Sequence, residues 1–107
     1  MTYKYTFYIG TNDKDTLHRE LTLNEITGVL DRCFDCYTLQ YGEGRYIMQK
    51  TGKVINEFTY ILTTFTFDLL DIDKITSEIC LKLNQESILV ETERVQAKLY
   101  YNNNGGN

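Results

Sequence analysis

No proline, no tryptophan and only one histidine occur in these 107 residues, and there are only three cysteines. Without proline, turns must rely on Gly, Asn and Asp for their special backbone angles. An odd cysteine count in core-like segments speaks against a disulfide framework and suits reduced thiols in a cytoplasmic protein. No apolar run is long enough to cross a bilayer, and MTYKYTFYIGTNDKD has no basic segment followed by a secretory apolar stretch, so no membrane role is expected. Positive charge is scarce as well. Eleven basic against fifteen acidic side chains leave a formal charge of −4, which disfavours nucleic acid as a partner.

Apolar and aromatic residues are abundant instead, 42% of the chain being hydrophobic, with nine Tyr and five Phe. That composition predicts a packed globular unit rather than disorder. The length fits one domain, residues 1–101, followed by the polar tail NNNGGN at 102–107. A bias toward Asn, Lys, Ile and Tyr fits an AT-rich coding sequence of bacterial or phage kind.

Residues 2–9, TYKYTFYI, alternate as a half-buried strand with Tyr3, Tyr5, Phe7 and Ile9 in one phase. After a polar loop, Thr22 and Glu25 have the capping-box spacing, and Leu23, Ile26, Val29, Leu30 and Cys33 recur at helical intervals. Two strands should then pair across a turn at Thr51-Gly52, with Gly42 and Gly44 read as a bulge or kink. Asp71 can cap a second helix bearing Ile72, Ile75, Ile79 and Leu83 and ending near Asn84. SILVETERVQAKLYY, residues 87–101, closes the chain as a last strand at the sheet edge.

The predicted order is β-α-β-β-α-β, an α+β ferredoxin-like arrangement with two helices on one face of a four-stranded antiparallel sheet. One sheet face is then left without helices. Because VINEFTYILTTF is apolar in both phases, a second subunit, ligand or partner is expected to cover it.

Few residues carry chemistry by pattern. Cys33 and Cys36 have a redox or metal spacing, but the pair follows a helix instead of preceding one, and too few further ligands exist for zinc. They are read as a helix-end core pair, with no metal and no cofactor expected. His18 lies among loop carboxylates as a weak general-base candidate. Glu91 and Glu93 share a strand phase with Leu89 and Val95, and unpaired carboxylates are costly to bury. Either a bulge near Thr92 swaps the phases, or the whole phase lies on the open face, or the glutamates enter a closed pocket with Arg94 or Arg45 as counter-charge.

FYIGTN resembles the first-strand motif of RNA-recognition domains, with Tyr8 as the stacking aromatic, and NEFTYI places Phe58 and Tyr60 at the matching spacing. Where that family begins its second motif with a basic residue and glycine, Asn56 and Glu57 stand here. YTFYIG together with NQESIL resembles the opening and closing segments of a family of small bacterial proteins known only as a domain of unknown function. That resemblance implies a ferredoxin-like fold and brings no activity to Gln85, Glu86 or Ser87.

The leading expectation is a non-enzymatic, homo-oligomeric binding module for a protein or a small polar, nucleotide-like ligand. Its contact residues would be Tyr8, Arg45, Phe58, Tyr60, Glu91, Glu93 and Arg94, since Tyr supplies stacking area at low entropy cost. A phage- or mobile-element-encoded inhibitor of a host system would look like this. The alternatives are a dimeric α+β-barrel enzyme using His18, Glu91 or Glu93 for acid-base work, and a single-stranded RNA binder.

Overall fold

A computed structural model describes residues 2–103. Six elements follow in the expected order: β1 (Thr2–Gly10), α1 (Leu23–Cys33), β2 (Thr38–Ile47), β3 (Val54–Thr66), α2 (Ile72–Leu83) and β4 (Leu89–Val95). The four strands form one antiparallel sheet in the order β2-β3-β1-β4. This is the ferredoxin-like α+β architecture.

Local signals set the helix ends. Thr22 accepts from the Glu25 amide at 3.3 Å while the Glu25 carboxylate accepts from the Thr22 amide at 2.9 Å, so two otherwise orphaned donors are satisfied reciprocally. Asp71 caps α2 through the Lys74 amide at 3.2 Å, and Asn84 ends it in the left-handed region at φ 50°. Gly52, at φ 71°, supplies the turn between β2 and β3.

Tyr5, Phe7 and Ile9 of β1 and Tyr60 and Leu62 of β3 pair across the sheet and point toward the helices. There they meet Ile26, Val29 and Leu30 of α1 and Ile79 and Leu83 of α2 in one core. Phe34 closes it, its ring edge-on to Phe7 with centroids 5.0 Å apart. Burial of these side chains is worth about 1.5–3 kcal/mol each.

Three expectations are corrected here. The β2–β3 register runs unbroken from Thr38↔Thr63 to Ile47↔Val54, so Gly42 and Gly44 form no bulge; a side chain at Gly44 would collide with Thr59 Oγ1, and close approach is what requires glycine. The last strand ends at Val95, leaving Ala97 and Leu99 beyond it and exposed. Cys36 is exposed, so it forms no buried pair with the half-buried Cys33. The proposed tail overlaps the described residues only at Asn102 and Asn103, both exposed, and the rest of it lies outside them.

β3 is longer than β1. Its first residues, Val54 to Phe58, pair only with β2, so the β2–β3 hairpin projects past the end of β1 and the molecule measures 54 × 24 × 22 Å. That projection creates the candidate site.

Candidate functional site

On the helix-free face, β1 ends at Gly10 and the chain turns away. Glu57, in the projecting part of β3, reaches across that end and is only 7% exposed. Its Oε2 accepts the backbone N–H groups of Thr11 at 3.1 Å and Asn12 at 2.6 Å. These amides are themselves fixed. Thr11 Oγ1 donates to the Phe58 carbonyl at 2.9 Å, and the Leu21 amide donates to the Thr11 carbonyl at 2.7 Å.

Burial pushes the Glu57 carboxyl above the usual carboxylate range, while the two amides and the Tyr46 hydroxyl pull it back and Glu20 adds to the rise. The Tyr46 hydroxyl is held up at about 12, first by burial and then by Glu57, so it remains a proton donor to the carboxylate. A desolvated carboxylate with an adjacent phenol is the combination that acid-base or cation-binding sites use.

Glu57 and Tyr46 line a cleft of about 470 Å³. Tyr8, Gly10 and Leu89 lie along the sheet in it, β2 contributes Gly42 to Ile47, and Gln85, Glu86 and Ser87 come from the segment between α2 and β4. Glu57 and Glu86 face the cleft, whereas Glu43 and Arg45 border it from the opposite phase of β2, so its charged groups favour a cationic ligand portion. No group of three or more metal-ligating side chains occurs among the described residues.

The residues singled out from sequence divide between places. Tyr8 lines the cleft, and Arg45 borders it from the opposite phase of β2. Glu91 and Glu93 lie on the same open face, in unbroken register with Thr6 and Lys4, so no bulge swaps their phase and the second of the three expected placements holds. Both are exposed, and the Tyr8 hydroxyl donates to Glu91 Oε1 at 2.6 Å, which raises the Tyr8 pKa. Arg94, in the opposite phase of β4, points away from that face. His18 is exposed in the loop before α1 and does not join the cleft.

Tyr60 is 4% exposed beneath the helices, with its ring 4.7 Å from that of Tyr41, and Phe58 shares its face. Tyr8 is on the other face, so the three rings cannot form one RNA-stacking platform, and the single-stranded RNA reading is withdrawn. The residues that sequence reasoning missed are Glu57, Tyr46 and Gln85 as a group. The available signal was Glu57 as the one charged residue of a strand rich in apolar and β-branched side chains.

The fold and cleft together define a small ferredoxin-like chain with an open-face polar site around a buried carboxylate. No protein-family model and no curated protein matches the chain. Solved structures do. A phage SAM lyase in complex with S-methyl-5′-thioadenosine aligns with TM-score 0.68 and 16% identity over 86% of this chain and 80% of that one. The phage SAM lyase in its apo state aligns with TM-score 0.65 and 16% identity over 92% of each chain. The periplasmic divalent cation tolerance protein CutA from Archaeoglobus fulgidus aligns with TM-score 0.55 and 10% identity over 92% of this chain and 88% of that one. At such identities the likeness establishes the fold.

Proposed function

We propose that the chain binds an adenosine-type sulfonium, S-adenosylmethionine, in the open-face cleft and cleaves it, as a phage- or mobile-element-encoded protein that depletes a host metabolite. The observation that carries this reading is Glu57: a buried carboxylate with a phenolic donor beside it, opening into a cleft that Glu86 also lines. The fold shared with a phage SAM lyase that holds S-methyl-5′-thioadenosine supports it.

The chemistry balances without a redox partner. Converting S-adenosylmethionine to S-methyl-5′-thioadenosine breaks the bond from sulfur to the aminobutyryl chain, and the electron pair goes to sulfur and cancels its positive charge. The carbon left behind is closed by the substrate's own carboxylate. Glu57 and Glu86 attract the cationic substrate on binding, and the buried Glu57 with Tyr46 beside it keeps water out of this end of the cleft, which favours closure by the substrate's own carboxylate over hydrolysis. An uncovered sheet face without a catalytic motif led the sequence reading to a non-enzymatic binding module; a buried carboxylate beside a phenol in the cleft supports a catalytic one instead.

Purified protein is incubated with S-adenosylmethionine and the products are resolved by mass. Accumulation of S-methyl-5′-thioadenosine, abolished by Glu57→Gln, supports the reading. Absence of both binding and turnover in the wild type overturns it.

A homo-oligomer remains part of the proposal on a separate observation. Phe65 and Leu89 are 52% and 65% exposed, both in open-face phases of their strands, and an uncovered apolar sheet face favours burial against another copy.

A further inference from the structure

Gln85 follows the left-handed cap of α2 and is 5% exposed. Its Nε2 donates twice, to the Asn12 carbonyl at 2.8 Å and to the Leu83 carbonyl at 3.1 Å. This fixes the amide orientation, because a flipped group would set its oxygen against two carbonyl oxygens. Oε1 therefore lies on the far side of the group and can only accept. It hangs over Gly10, 3.0 Å from where a β-carbon would stand.

Glu57 Oε1 occupies the same place. Its partner atom, Oε2, already takes the Thr11 and Asn12 amides. Two acceptors of fixed direction, one anionic and one neutral, thus sit side by side above a residue with no side chain, and both residues line the cleft. The Tyr46 hydroxyl also donates to this carboxylate, which leaves Oε1 room for one further donor, so a ligand group that engages both acceptors must bring two donors set close together. Leaving either acceptor unpaired after water is expelled would cost affinity.

We infer that the Gly10–Glu57–Gln85 cradle is a subsite for a vicinal diol, the ribose hydroxyls of the ligand. This inference rests on the adenosine-type reading above and adds the orientation of the ligand within the cleft. A carboxylate is a recurrent partner of ribose hydroxyls. The neutral amide beside it suits a second hydroxyl, whereas a compact ammonium group is better served where carboxylates converge. Gln85 has a second role as a positioning residue. By holding the Asn12 carbonyl it turns the adjoining amides toward Glu57.

The test is calorimetric binding of S-methyl-5′-thioadenosine and of its 2′-deoxy and 3′-deoxy forms to wild type and Gln85→Met. Wild type should lose about tenfold or more in affinity for each deoxy form. In Gln85→Met one of the two penalties should vanish, so that the parent and one deoxy form bind alike, while the other penalty persists through Glu57. A purely structural role for Gln85 would weaken all three ligands by the same factor and leave both deoxy penalties intact, which overturns the assignment. Equal wild-type binding of all three forms overturns the diol subsite while leaving the adenosine reading intact, and this arm needs no variant. Gln85→Met that weakens S-adenosylmethionine but not S-methyl-5′-thioadenosine places the amino-acid end in the cradle and also overturns it. If the wild type binds no adenosine compound, both readings fall.

Discussion

The carboxylate of Glu57 occupies the space that a side chain at Gly10 would fill: a β-carbon there would collide with Oε1 and lie 2.8 Å from Cδ. The end of β1 and the projecting hairpin are thereby locked together through a glycine. Gly10→Ala should expel Glu57 from its two amide donors and cost about 1–3 kcal/mol, as overpacking does. Urea denaturation measures that loss, and binding of S-adenosylmethionine should fall with it. An alanine variant as stable as wild type, with ligand binding retained, would show that the contact is dispensable.

pH should act on Glu57 with a definite sign. Burial holds its folded pKa above the ordinary glutamate range, so between the unfolded and folded values the native state keeps a proton that the unfolded chain has already released. Its contribution to stability is complete below the unfolded value and is lost as pH rises through the folded one. The stability difference between wild type and Glu57→Gln should therefore slope over that window, whereas elsewhere it should be flat. Binding of a sulfonium should show the opposite trend, weakening as pH falls and Glu57 becomes neutral. Tyr46, Glu20, Glu43, Glu86 and Arg45 surround the group, and Tyr46→Phe should shift the binding midpoint upward by removing a donor to the carboxylate.

Glu91→Gln and Glu93→Gln should each change stability by no more than about 0.5 kcal/mol, since both side chains are exposed and outside the cleft. Thermal melting and S-adenosylmethionine binding, measured together, check this. Loss of binding in either variant would move the site toward β4.

The capping box predicts a larger effect far from the cleft. Thr22→Ala leaves the Glu25 amide without its partner and should cost about 0.5–2 kcal/mol with ligand affinity unchanged. Equilibrium unfolding gives the number, and an unchanged midpoint would deny the cap its role.

How much of this could be read from the chain depends on how local each signal was. Thr22 with Glu25 and Asp71 before α2 announced both helices, because capping is decided within four residues. The alternation of Tyr5, Phe7 and Ile9 likewise revealed the buried face of β1. Period alone could not tell which face of β3 met the helices, since Tyr60 and Ile61 are equally apolar, and Tyr60 proved to be core. Glu57 escaped notice for a related reason. Its partners, Thr11 and Asn12, are more than forty residues away and become neighbours only through the β1–β3 register and the overhang of the hairpin. Glu91 and Glu93, conspicuous in sequence, mark an exposed edge strand whose outward phase faces solvent, apart from the Tyr8 hydroxyl that Glu91 accepts.

The most direct test of the cleft is to titrate isotope-labelled protein with S-methyl-5′-thioadenosine and follow every backbone amide by nuclear magnetic resonance. The largest shifts are expected at Gly10, Thr11, Asn12, Glu57 and Gln85, and Glu57→Gln should reduce them. Shifts centred on His18 or on Glu91 and Glu93, or none at saturating ligand, would contradict the cleft assignment.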